Sequence, residues 1–432
     1  LHYAAGGLNS TCVSINGAWL MKSSYLLQTA LVAAAGLMLA EPAFAQVKAE
    51  PLGVSVGGYM TRSFKLQDRD KETGTAQTDK SAATFGGPNA EIWFNLKAVL
   101  DNGLRVGGRV ELEAASDGDQ IDESYVWFEH GLGKMELGST DRVAAKMQYF
   151  SPNTTLPGQD NISTATSENA PFVVPANNRA GPTQMWFSNH GNDAEGVNFY
   201  TSSNRYFGSK NGKGLQLGVS YVPDGCQDYN NAGGQFAAAG NITNCDAGFG
   251  NTVNGSVRNH FNLAGNYIES FGDLTLALSA GYVSTRIESI GLNTTTNAGT
   301  AGQPRLTGWQ GGSQLTYALG GGATMGVGGG YKSEEVTATI DRRSYILGFL
   351  YTTNGANPGS IGVGGDYWHA KGKEAGFADD KADILQLGVS YMLASGIKLY
   401  GGAGTYEYTD GNSTRANESK ANFGVLGVNL TF

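Results

Sequence analysis

From residue 50 onward, apolar and polar side chains alternate with a period of two, and no apolar run there is long enough for a membrane-crossing helix. Leu104, Val106, Gly108, Val110 and Leu112 share one face; Arg105, Gly107, Arg109, Glu111 and Glu113 share the other. Ile92, Phe94, Leu96, Ala98 and Leu100 alternate in the same way with Glu91, Trp93, Asn95, Lys97 and Val99. Successive side chains of a strand point to opposite faces, so each segment is apolar on one side and polar or small on the other. The chain is therefore a sheet protein, and the question is what covers the apolar face.

A soluble sandwich buries that face against a second sheet. Three features favour a closed transmembrane barrel instead. The strands run to about ten residues, the length a tilted barrel strand needs to cross a bilayer. Tyr221, Tyr267, Tyr282, Tyr331, Tyr367 and Tyr391 stand near strand ends on apolar faces, as in an interfacial girdle. Tight connections such as Asp101-Asn102-Gly103, Phe271-Gly272-Asp273 and Ala394-Ser395-Gly396 alternate with longer polar ones, as periplasmic turns alternate with outer loops. Charged residues make up only 16% and Gly numbers 64, which suits a wall with one greasy side. The formal net charge of −9 and the lack of any basic run exclude a nucleic-acid partner.

The one long apolar run, residues 26–40, follows Met21-Lys22 and precedes Ala43-Phe44-Ala45. A basic start, a short apolar core and an A-x-A box predict a secretory signal over 21–45, cut after Ala45, with the mature barrel occupying 46–432. The run falls short of the ~20 residues of a spanning helix. Residues 1–20 then read as upstream translation ahead of the true initiator, Met21. Cys226 and Cys245 are an even pair in an exported chain, which predicts a disulfide closing a Gly- and Asn-rich loop and contributing ~3 kcal/mol.

The pattern predicts sixteen strands: 52–66, 88–100, 104–115, 121–130, 134–140, 196–202, 214–223, 256–270, 273–287, 305–318, 322–333, 343–353, 360–370, 381–393, 396–408 and 419–432. Thr183–Asn189 is strand-like but would make the count odd, so it is assigned to the long connection before residue 196. Leu215–Tyr221, LQLGVSY, recurs letter for letter at Leu385–Tyr391; in both, Leu, Leu, Val and Tyr face one way and Gln, Gly and Ser the other.

Certain stretches resemble the Gram-negative porin family, particularly trimeric general diffusion porins. They are Tyr125–Arg142 (YVWFEHGLGKMELGSTDR), Gly214–Asp224 (GLQLGVSYVPD) and the ending GVLGVNLTF. The resemblance implies an all-β, sixteen-stranded antiparallel transmembrane barrel in the outer membrane, a homotrimer. A long constriction loop, here roughly Asp141–Glu195, would fold into the lumen. It implies that Asp160 and Glu168 on that loop face a basic wall of Lys97, Arg105, Arg109 and Arg142, the opposed charges acting on passing solutes. The fifth strand departs from the family's Leu-Gly-Arg ending, reading Leu137-Gly138-Ser139, which weakens the basic side or shifts it onto Arg142. Leu426, Val428, Leu430 and terminal Phe432 match the family's signal for the barrel assembly machinery. Lipid, lipopolysaccharide and small hydrophilic solutes are the remaining implied partners; no cofactor is.

A rival reading accompanies each site. The same spacing lets Lys97, Arg105 and Arg109 pair with Glu91, Glu111 or Glu113 as solvated wall residues. Asp379, Asp380 and Asp383 could hold Ca²⁺, though a solvated loop is the plainer reading. The histidines have no metal spacing, and no hydrolase elbow or phosphate loop occurs, so a pore outranks an enzyme. Three functions remain open: a general diffusion channel, cation-preferring from the −9 charge; a solute-specific porin for anions, phosphate or sugars; and a structural or adhesive barrel with a blocked lumen.

Overall fold

The computed structural model describes residues 48–69, 81–85, 89–113, 121–156, 195–201, 205–209, 212–224, 256–288, 305–335, 340–374, 376–411 and 418–432. The expected signal segment with Ala45, residues 1–20, Asp160, Glu168, Thr183–Asn189 and the Cys226–Cys245 loop lie outside these residues.

Seventeen strand segments form one antiparallel sheet. They are β1 (Glu50–Arg69), β2 (Ser81–Phe85), β3 (Asn89–Val99), β4 (Arg105–Glu113), β5 (Ile121–His130), β6 (Gly133–Ser139), β7 (Glu195–Thr201), β8 (Gly214–Asp224) and β9 (Ser256–Phe271). The rest are β10 (Leu274–Glu288), β11 (Arg305–Gly320), β12 (Ala323–Glu335), β13 (Ile340–Thr352), β14 (Ile361–Glu374), β15 (Asp380–Ala394), β16 (Ile397–Thr409) and β17 (Ser419–Thr431). β2 and β3 are two parts of one stave, because both pair with β1: Phe64 opposite Phe85, then Thr61 opposite Asn89. The barrel thus has sixteen staves, and the second begins at Ser81, earlier than the alternation suggested. β1 pairs on its other side with β17 from Tyr59–Thr431 to Arg69–Ala421, which closes the cylinder and leaves no edge.

The tight connections fall at one end. At Asp101–Gly103, Asn102 Oδ1 accepts from the Leu104 amide at 3.1 Å, and Gly103 takes a φ of 81° that a side chain would resist. The long connections, at the other end, lie on the outer side by the rule for such barrels.

Alternation becomes wall chemistry throughout. In the second LQLGVSY segment Leu385, Leu387, Val389 and Tyr391 are exposed on the outer face, whereas Gln386 is buried on the inner one. Trp309 stacks near Tyr331, and Tyr345 near Tyr367, at centroid distances of 5.0 and 5.9 Å on that outer face. Tyr282 is likewise exposed. Tyr221 departs from the expected girdle: it is buried, and its hydroxyl donates to Asn259 Oδ1 at 2.6 Å.

The inner wall is not uniformly wet. Ile346, Trp368, Ile384, Tyr406 and Phe423 point inward from β13–β17 and form a dry cluster with Phe150. Period two assigns a side chain to a face but does not say what packs on it; here the inner face carries a core of its own.

Candidate pore constriction

After β6 the chain turns into the barrel. Residues 143–146 form a single helical turn, α1 (Val143–Lys146), and the irregular segment that follows lies as far as Leu156 along the inner wall. Its root is a charged hub. Glu136 on β6 accepts from Lys134 at 2.7 Å, Lys146 at 3.3 Å, Asn198 at 3.0 Å and Tyr200 at 3.2 Å. Glu123 accepts from the Thr140 hydroxyl at 2.7 Å and the Asp141 amide at 2.9 Å. Arg142 is fully buried and donates to Asn198 Oδ1 at 3.1 Å and to the Gly138 carbonyl at 3.3 Å. That corrects its expected place on the basic wall: the guanidinium pins the root and does not face the lumen. Burial, and then the neighbouring Glu123 carboxylate, push Asp141 up to about 6.

From the root, the segment lies in a track of glycines. A Cβ on Gly218 would stand 2.5 Å from Met147 Sδ, and one on Gly402 3.0 Å from Leu156; those on Gly312, Gly330, Gly364 and Gly388 would meet Tyr149, Phe150, Asn153 and Thr155 more closely still. Gly364, Gly388 and Gly402 stand in one register row across β14–β16. Only residues without a side chain leave the backbone room there. The repeated heptapeptide acquires a meaning: its central glycine, at 218 and at 388, seats the two ends of the segment. Asp366 on β14 is the latch, accepting from the Ser151 hydroxyl, from Asn153 Nδ2 at 2.6 Å and from Gln386 Nε2 at 3.3 Å.

On β3–β5 the inner wall is more acidic than the expected basic row. Glu91, Glu113 and Asp122 bring carboxylate oxygens within 4.8 Å of one another. Glu91 accepts from Tyr59 at 2.7 Å and from Trp93 Nε1 at 2.8 Å. The register shift between Val110 and Leu112 against β5 is a bulge; it lets consecutive Asp122 and Glu123 both serve the inner side, which simple alternation forbids. Arg109 is ion-paired with Glu111 and lies over the Trp93 ring at 4.3 Å. Arg105 pairs with Glu129 at 2.8 Å, and Lys97 is exposed. Arg109 thus makes a contact the rival reading named, whereas Arg105 pairs with Glu129, which that reading did not name.

The other sequence candidates separate. Asp379 pairs with Lys371, Asp383 accepts from Tyr367 at 2.5 Å, and buried Asp380 accepts from the Gly411 amide at 3.0 Å, so the three do not converge on one ion. His260 Nδ1 meets the Thr285 hydroxyl at 2.9 Å. The last residues alternate as expected, with Leu426, Leu430 and Phe432 exposed on the outer face, and the Phe432 backbone zips to Gly58 by bonds of 3.0 and 3.1 Å.

A family model described as Gram-negative porin matches residues 29–411. No curated protein matches the chain. Among solved structures, the anion-selective porin from Comamonas acidovorans aligns with a TM-score of 0.54 at 17% identity, covering 88% of this chain and 100% of that one. A loop-deletion mutant of OmpT, an outer membrane protein of Vibrio cholerae, aligns at 0.52 with 15% identity over 88% and 99%. OmpF of Salmonella typhi aligns at 0.50 with 12% identity over 88% and 97%. At such identities the likeness speaks for the fold alone.

Proposed function

The chain belongs to the Gram-negative porin family, and from that premise we propose that it is an outer-membrane diffusion channel whose inner wall favours cations. The outer-membrane barrel and the channel follow from family and fold together; the cation preference is the finer step. One observation supports it. Glu91, Glu111, Glu113, Asp122 and Glu123 gather on β3–β5, and of the nearby cations Arg109 is already paired with Glu111. Like-signed groups along a low-dielectric wall raise the local concentration of the opposite ion. The reversal potential of the purified barrel across a KCl gradient tests this: a value toward the potassium potential supports it, and one toward chloride overturns it.

Selectivity for anions is the second reading, since Lys97 is exposed on the same inner face. Saturable block by phosphate or a sugar would point to a solute-specific pore, and absence of conductance to a blocked, structural barrel. Diffusion, and not hydrolysis, is the activity proposed, with His260 engaged by Thr285. Asp160 and Glu168 are proposed to complete the constriction, Phe432 to serve insertion, and Cys226 and Cys245 to staple their loop.

A homotrimer is part of the proposal, and Arg62 supports it. Arg62 is exposed on the outer face of β1, between Met60 and Phe64 and opposite Val428. Arginine facing hydrocarbon costs up to about 2–4 kcal/mol, a cost that contact with a second protomer on the β1–β3 side would remove.

A further inference from the structure

On the inner face, one arrangement occurs three times among the described residues of β3–β6 and α1. Arg109 lies over the Trp93 ring at 4.3 Å and is ion-paired with Glu111. Lys134 lies over Trp127 at 5.4 Å and pairs with Glu136 at 2.7 Å. Lys146 lies over Tyr125 at 4.9 Å and pairs with the same Glu136 at 3.3 Å. In each, a cation sits between the electron-rich face of a ring and a carboxylate. Register sets the rings in order: Trp93 stands opposite Glu111, Tyr125 opposite Arg109 and Trp127 opposite Gly107. They therefore occupy three successive inward rows, about 7 Å apart along β4.

The Trp93 copy, nearest the long-loop end, is set in place from several sides. A Cβ on Gly57 would touch its ring at 3.5 Å, so the ring leans onto β1 where a side chain is missing. Trp93 Nε1 donates to Glu91 at 2.8 Å, and Tyr59 meets the ring edge-on at a centroid distance of 5.8 Å. The Glu111 side chain is only 8% exposed, whereas 27% of the Arg109 side chain is open to the lumen. Ring and carboxylate are thus the fixed parts, and the guanidinium is the accessible one. A planar guanidinium stacks on an aromatic face and forks onto a carboxylate in a way that an ammonium does not, so Arg109 marks the chemistry this surface takes. A side chain on a tether competes with a free solute at a roughly millimolar effective concentration. That competition keeps the solute's stay short, as conduction requires.

We propose that Trp93 and Glu111 form a binding site for guanidinium-bearing solutes, with Arg109 as a tethered occupant that such a solute displaces. The inference rests on the cation-preferring reading and deepens it, naming the class of cation that the wall holds. Carboxylates attract any cation; the ring face and its planar occupant select this one.

The test is the ion current through the full-length barrel in planar bilayers, measured in KCl while methylguanidinium, methylammonium or urea is titrated in. Methylguanidinium should lower the current saturably; methylammonium and uncharged urea should not. Arg109→Ala should lower the half-saturating concentration of methylguanidinium at least about tenfold, because the tethered competitor is gone. Adding Trp93→Leu to that variant should raise it again by about three- to thirtyfold. Each variant is first checked for the parent's resistance to heat in detergent, and Arg109→Gln replaces Arg109→Ala should the latter lack it. Unchanged or weaker block by methylguanidinium in the Arg109 variant, or equal block by methylammonium, would overturn the proposal. The reversal potential across a KCl gradient separates this outcome from the selectivity reading. A barrel that favours potassium without saturable methylguanidinium block loses only this site; one that favours chloride loses the cation preference and the site with it.

Discussion

Asp366 and Asp141 show how single carboxylates hold residues 141–156 against the inner wall. Asp366 receives hydrogen bonds from Ser151, Asn153 and Gln386, and bonds to a charged acceptor stabilise by about 1.5–3 kcal/mol. Asp366→Asn should loosen the segment by about that amount and raise single-channel current noise, while the barrel keeps its resistance to heat in detergent; an unchanged current trace would refute the latch. Asp141 behaves in the opposite sense. Its folded carboxyl titrates near 6 against an ordinary 3.8, from burial and from Glu123, so the folded root binds a proton more readily than the unfolded chain. Its stabilising contribution is complete below about pH 4 and is lost as pH rises through 6. Protection of the amides at residues 141–147, corrected for the intrinsic pH dependence of exchange, should therefore be greater at pH 5 than at pH 7, and Asp141→Asn should erase that difference in protection. Neither role was legible in sequence: Asp366 is one inward residue of an alternating strand, and nothing local says that Ser151 lies over it.

At the scale of elements, the strands were legible because a stave half in lipid must alternate. Fifteen staves emerged within a few residues, and the second begins at Ser81, seven residues before the expected 88. The glycine track was visible only as an excess of glycine. Its use is decided by register, which brings Gly364, Gly388 and Gly402 side by side under residues 153–156. Gly388→Val should overpack the track at a cost of about 1–3 kcal/mol and shift the segment, seen as altered conductance. Val at Gly424, on the outer face of the neighbouring staves, should leave conductance alone. Equal effects at the two positions would deny the track its function.

For the whole molecule, closure of β1 on β17 abolishes the free edges and leaves two surfaces with different solvents. On the outer surface, Arg62→Leu should remove the charge that the proposed protomer contact would cover; cross-linking in detergent should show a changed oligomer fraction, whereas a monomer before and after would dismiss the contact. By itself the sequence determined the sheet, its sixteen staves, the greasy and polar faces and the membrane setting, because a two-residue period is a local property that every strand repeats. Tertiary structure alone decided that Arg142 is buried, that Arg109 is spent on Glu111, that a bulge turns both Asp122 and Glu123 to the inner side, and that part of that side is dry. Those outcomes depend on which strands lie beside which and in what register, and on what the chain lays over them after residue 140, and no spacing along the polypeptide encodes that.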